Sequence, residues 1–236
     1  MNIAVRPRWV LPHLALSGLT AAVVAASSFG TLGTLKTIDL SQLRWGLAAP
    51  DAAPQALPQT PPAPPFVLRA DAADMRQAVR CLGQAVYFEA GFQPVEGKRA
   101  VAQVIVNRVR DRDFPQTVCG VVYQGARRRT GCQFSFTCDG SLGRRPPSGD
   151  ELASAEQIAR EALSGYVMAA VGTATHYHTW KVDPYWNDTL VKTAQIGDHI
   201  FYRWPGKAGQ PSFLHPERYA GNEIRVARQV PKIALA

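Results

Sequence analysis

The chain has 236 residues, 46% of them hydrophobic and 19% charged, with a formal net charge of +8. That is enough for one sizeable domain with appendages and too apolar for a wholly disordered chain. The basic balance suits a polyanionic partner, but no Lys/Arg run is interleaved with aromatics, and the one tight cluster, Arg127-Arg128-Arg129, reads as a short solvated loop, which argues against nucleic acid.

Residues 1–8 form a basic N-terminus with Arg6 and Arg8. Residues 9–35 then carry no Asp, Glu, Lys or Arg. An apolar run of that length exceeds the roughly 20 residues that cross a bilayer as a helix. The flanking arginines place 1–8 on the cytoplasmic side and the rest of the chain outside. The run is expected to act as an uncleaved signal anchor, with a signal peptide cut near Ala25 to Ser28 as the alternative. Localisation follows: the folded part in the periplasm, tethered to the inner membrane, or released there if the run is removed.

Residues 36–70 are rich in Pro and Ala and read as a stiff polyproline-like spacer. The folded domain is expected over 71–205. Asp74 is placed as the N-cap of a first helix running to about Ala90, with Met75, Ala78, Val79, Leu82, Ala85 and Val86 on its inward face and Gly91 as its stop. A second helix is predicted over 97–110, with a stripe of Val101, Val104, Ile105 and Val109. VVYQ is a brief strand or helical turn. CQFSFTCDG alternates Phe134, Phe136 and Cys138 with Gln133, Ser135 and Thr137, as a hairpin strand does. Ser148 and Asp150 can cap a third helix through Leu163. ATHYHTW and HIFYRW read as strands, and 206–236 as a loosely packed tail.

The four cysteines, Cys81, Cys119, Cys132 and Cys138, lie in no CxxC pair. They suit two disulfides in an oxidising compartment, with buried free thiols as the alternative. Spacing does not choose among the three pairings. Cys132 with Cys138 would clamp a hairpin, and Cys81 with Cys119 would then tie the first helix to the loop after the second.

One residue breaks the first apolar stripe. Leu82, Ala85 and Val86 are followed on the same face by Glu89. Burial and the negative end of a helix both disfavour a carboxylate there and raise its pKa. An acid still protonated near neutrality is what cleavage of a sugar linkage requires. The competing structural explanation pairs Glu89 with Arg99 or Arg108.

YFEA, PVEGKRAVAQVIVNRV, FPQTVCGVVYQ, GCQFSFTCDG, HYHTWKVDPYW and IGDHIFYRW, in this order, resemble the SleB/CwlJ-type cell-wall hydrolases. The resemblance implies an α+β fold: a lysozyme-like, mainly helical domain with a small antiparallel sheet. It also implies cleavage of peptidoglycan glycan strands, with Glu89 as the catalytic acid. Where the family usually has Arg-Gly-Glu after YFEA, this chain has Gly91-Phe92-Gln93, so a neutral amide replaces the usual second carboxylate. Asp139 and Glu96 are the candidates for a second carboxylate; the simpler roles are an Asp-Gly turn and a first-turn helix charge. With a single acid, a lytic transglycosylase route between N-acetylmuramic acid and N-acetylglucosamine is expected. Gln133, Ser135 and Thr137 are candidate hydrogen-bonding residues. Tyr177 and Tyr123 lead the candidate aromatic surfaces, with Tyr87, Trp180, Tyr185 and Trp186 behind them.

Two alternatives come from different classes. A zinc-dependent peptidoglycan amidase or endopeptidase would use His176 and His178 with His199 and Asp183 or Asp198. A non-catalytic peptidoglycan-binding module would fit the loss of a carboxylate at Gln93. The leading reading needs no metal and no cofactor. Oligomeric state is not legible in the sequence.

Overall fold

The computed structural model describes residues 5–7, 60–128 and 131–228. The expected membrane span over 9–35 and most of the expected spacer lie outside these residues. Among the described residues, no helix is long and apolar enough to cross a membrane.

Helix α1 (Ala72–Ala90) is the central element. Its N-cap is Asp71, not Asp74: the Asp71 carboxylate accepts from the amides of Ala73 at 2.9 Å and Asp74 at 2.8 Å. Asp74 instead accepts from the backbone amides of Asn222 and Ile224, far along the chain. The predicted inward positions Ala78, Val79, Leu82, Ala85 and Val86 are buried. Helix α5 (Gly149–Leu163) packs closely on α1 at Gly83, where a Cβ would lie 2.9 Å from Glu156 Cγ.

Helix α2 (Val95–Arg110) is buried on nearly every face from Ala100 onward. Val101, Ile105 and Val109 join the helical core, while Ala100 and Val104 pack against Ala194 and Phe201 of the sheet. Its polar residues are buried too, and they hold loops. Asn107 Nδ2 donates to the carbonyls of Gly172 and Ala174, both at 2.8 Å. Arg110 Nη1 donates to Pro64 O at 2.6 Å. VVYQ is helical after all, within α3 (Val118–Val122) and its cap; Thr117 Oγ1 accepts from Gly120 N.

CQFSFTCDG is not a strand. Ser135–Thr137 form a 3-10 turn, and Cys132 is bonded to Cys138. The six-residue separation closes the segment on itself, so Phe134 and Phe136 are both buried without pairing to a neighbour. A short helix α4 (Ser141–Arg144) follows. The second bond, Cys81–Cys119, joins α1 to α3 across 38 residues, and free cysteines are absent from the described residues.

The antiparallel sheet is β2 (His176–Thr179), β5 (His199–Arg203) and β4 (Val191–Ile196), in the order β2-β5-β4. β4 lies between the two expected strands, in a stretch where no strand was expected. Tyr177 faces Phe201 across the β2–β5 pair, and His176 faces Tyr202. Helices with this small antiparallel sheet agree with the α+β class expected. Separately, β1 (Val5–Pro7) pairs with β3 (Val182–Pro184).

Both domain edges differ from expectation. Ala63, Phe66 and Leu68, assigned to the spacer, are buried, and Leu68 N donates to Leu163 O. The segment after 205 is not loose either. Glu223, at the start of α6 (Glu223–Arg228), is fully buried and accepts from Val118 N at 2.7 Å and Cys119 N at 2.8 Å. It satisfies the free amides at the start of α3, which a side chain from a distant segment can do as well as a local cap.

Candidate active site

Glu89 lies in the last turn of α1 and keeps part of its surface exposed. The hydroxyl of Tyr177, from β2, donates to Glu89 Oε2 at 3.0 Å. Burial raises the pKa of Glu89 above its ordinary value; the Tyr177 hydrogen bond and the charge of Arg108 oppose the rise, and the charge of Asp139 adds to it. Burial, then the charge of Glu89, also lifts the Tyr177 hydroxyl well above its ordinary range, so it remains a donor. The arrangement is a carboxyl at a helix end whose pKa burial raises, hydrogen-bonded by the Tyr177 hydroxyl from the facing sheet.

The floor beside Glu89 is aromatic. Phe88 stacks on Phe136 with ring centroids 4.6 Å apart, and Phe136 contacts Phe134 at 6.1 Å. This pins the disulfide-closed loop to α1 next to the acid and brings Asp139 close enough for its charge to act on Glu89. Asp139 itself is exposed, and its Oδ1 accepts from Ser141 N at 2.7 Å. Burial pushes its pKa up, but the Ser141 hydrogen bonds together with the charges of Arg144 and Arg145 outweigh it and hold the carboxyl below its usual value. It is an ionised carboxylate near the cleft.

Several of the other expected site residues have partners of their own. Without a hairpin, Gln133, Ser135 and Thr137 share no strand face. Thr137 Oγ1 donates to Phe134 O at 2.7 Å, and the Gln133 backbone N–H donates to Gln124 O. Tyr123 is buried, and its hydroxyl donates to Gln84. Glu96 is exposed in the first turn of α2, where its charge acts on Arg99. Arg99 pairs with Glu161 at 2.9 Å and so leaves Glu89 alone.

Gln93 has a definite partner. Its Oε1 accepts from Asp198 N at 3.1 Å and its Nε2 donates to Asp198 Oδ2 at 3.3 Å. Only an amide can do both; a carboxylate there would meet Asp198 with like charge. The turn between β4 and β5 adapts to this contact: Gly197 has φ +55, and a Cβ on it would collide with Gln93 Oε1. Asp198 Oδ1 also accepts from the Trp180 indole at 3.2 Å. Phe92 and Trp180 stand exposed on either side of this clasp.

The histidines do not converge. His178 Nε2 lies 2.8 Å from the Tyr202 hydroxyl and its Nδ1 2.9 Å from Thr179 O. His176 packs on Trp204 and Trp186, and Trp186 covers the same outer face of the sheet. His199 points to the other face, edge-on to Tyr177 at 5.1 Å. Asp183 accepts from Asn187 instead. Among the described residues, no group of three His, Cys, Asp or Glu is disposed to hold a metal ion.

The sequence reading raised Arg108 only as a structural partner for Glu89, not as part of a site; its charge does act on Glu89. Arg108 follows Val104 and Ile105 at four and three residues, the same spacing that singled out Glu89. The Gln93–Asp198 contact, spanning 105 residues, left no local trace.

Residues 92–202 match the family described as Cell Wall Hydrolase. The match begins three residues after Glu89. The spore cortex-lytic enzyme of Oceanobacillus iheyensis is 32% identical over 124 residues, 52% of this chain and 40% of that one. The spore cortex-lytic enzyme of Bacillus subtilis is 30% identical over 124 residues, 52% of this chain and 36% of that one. The chain thus spans well under two thirds of the length of these relatives. The solved catalytic domain of the Bacillus cereus SleB protein is 29% identical, covering 54% of this chain and 91% of that one, with a TM-score of 0.45.

Proposed function

We propose, from the premise that residues 92–202 are a cell-wall hydrolase domain of the SleB/CwlJ type, that this chain cleaves the glycan strands of peptidoglycan with Glu89 as its acid. The observation that carries the reading is the Glu89–Tyr177 pair: a burial-raised acid at a helix end, oriented at 3.0 Å from the facing sheet. The helical domain, with its acid opposite a small sheet, fits the lysozyme-like arrangement that the resemblance implies.

Glu89 protonates the oxygen linking N-acetylmuramic acid to N-acetylglucosamine, and the C1–O bond breaks. The C6 hydroxyl of the muramic sugar then attacks C1 and returns its proton to Glu89, giving a 1,6-anhydro product. This lytic transglycosylase route needs one carboxyl. The position where the family usually has a second acid is the neutral Gln93, engaged with Asp198. Asp139 has a different use: an ionised carboxylate near the cleft opposes positive charge developing on the sugar. Exposed Trp180 and Phe92 offer flat apolar faces to sugar rings.

Glu89→Gln is expected to leave the fold unchanged and abolish release of soluble muropeptides from purified sacculi, by about 100-fold or more. Undiminished release would remove Glu89 from the mechanism. Mass spectrometry of the wild-type products reads the route, since the anhydro product is one water lighter than the hydrolytic one. Sacculus binding by the wild type with no soluble product would indicate a binding module instead. The two disulfides support action outside the cytoplasm, in the periplasm, with the apolar run as the export segment. Fractionation of cells into soluble periplasm and inner membrane tests whether that segment also tethers the domain.

A further inference from the structure

Arg108 is a buried cation, 3% exposed, on the face of α2 that looks toward Glu89 and the sheet. Its Nε donates to Thr175 O at 2.6 Å, just before β2 begins. Its guanidinium lies 5.1 Å from the Phe114 ring centroid and 5.7 Å from that of Phe134. Its Nη1 is enclosed and meets no hydrogen-bond acceptor among the described residues. A buried guanidinium with an open donor is costly, and neither a carbonyl nor two phenyl rings repays a full charge. Burial lowers its pKa to about 10, and the neighbouring acidic groups Tyr177, Glu89 and Asp111 oppose that fall. It forms no ion pair with Glu89 in the resting state.

We propose that Arg108 is a positioning residue of the cleavage reaction: it holds the strand that presents Tyr177 and supplies a fixed countercharge for Glu89 once Glu89 has given up its proton. The proposal rests on the reading of Glu89 as the acid. In that reading the Glu89 proton moves to the glycosidic oxygen, which keeps the electron pair of the broken C1–O bond. The C6 oxygen then bonds to C1, and its proton restores Glu89. Between these events a carboxylate sits where burial disfavours it. A lysine in that interior would tend to shed its own proton, whereas an arginine remains charged. The groups facing Glu89 are Tyr177 from β2, Arg108 from α2 and Asp139 after the disulfide loop, and Asp139 acts in the opposite sense to the other two. A side chain needed only to support Thr175 O would require one neutral donor.

The test is a titration of Glu89 in the full chain, followed by carboxyl carbon NMR and assigned with Glu89→Gln. Arg108→Gln should raise the midpoint and the alkaline limb of the activity profile together by about one pH unit, and lower kcat more than it changes KM. Arg108→Gln that folds but leaves the titration unmoved would overturn the proposal. Should that variant fail to fold, Arg108→Lys is read in the same way, since a lysine there would tend to lose its charge, and an unmoved Glu89 titration in it would overturn the proposal equally. The midpoint is read without substrate, so it stands apart from whether Glu89 cleaves glycan.

Discussion

At the scale of single residues, the spacing of apolar positions singled out Glu89 but not the groups that surround it. Glu89 interrupts a helical stripe, and periodicity detects interruptions. Tyr177 was chosen for its place in HYH as a sugar surface; in the structure its hydroxyl orients the acid. Tyr177→Phe keeps the ring and removes that donor. Since the Tyr177 hydrogen bond lowers the Glu89 pKa, its loss lets Glu89 stay protonated to higher pH. The reaction needs the protonated form, so the alkaline limb of the activity profile should move upward. The maximal rate should fall roughly tenfold, a part of what general acid catalysis contributes. A pH–rate series on sacculi checks both signs.

At the scale of elements, the helices were legible and the turns were not. The stripes of α1, α2 and α5 repeat every three or four residues and belong to long segments. CQFSFTCDG alternates as a strand does, yet a disulfide across six residues imposes a 3-10 turn with the same pattern of burial. Alternation reports which side chains are inside, and a covalent closure can place them there without a sheet. Contact between the α1–α2 loop and the β4–β5 turn depends on Gln93, whose amide both gives to and takes from Asp198. Gln93→Glu should therefore cost about 1–2 kcal/mol at pH 7, from a lost donor and two facing carboxylates. The loss should shrink near pH 4 as the pair takes up a proton. Thermal melts at the two pH values read this, and an equal loss at both would show that charge is not the cause.

At the scale of the whole molecule, the domain edges were drawn too tightly because composition marks where regular periodicity ends, not where packing ends. Glu223 is the clearest case, a carboxylate from the expected tail buried against the first amides of α3. Burial raises its pKa from 4.5 to about 7, with the Cys119 and Val118 amides opposing the rise. A raised folded-state pKa means that the folded form holds the proton more tightly. The associated stability is full below about 4.5 and is lost as pH rises through about 7. The melting temperature should thus decline between pH 5 and pH 8, and Glu223→Gln should flatten that decline. The Cys81–Cys119 bond closes a long loop between two buried sites. Replacing both with Ala should lower the unfolding free energy by about 3–4 kcal/mol, measurable by denaturant titration. The two bonds also have an order. Each cysteine is joined to the next one along the chain, Cys81 to Cys119 and Cys132 to Cys138. A polypeptide emerging N-terminus first into an oxidant therefore meets every correct partner as soon as one is available. Maturation calls for a thiol oxidase but no reshuffling, so yield of the correctly bridged protein should survive removal of a disulfide isomerase and collapse on removal of the oxidase.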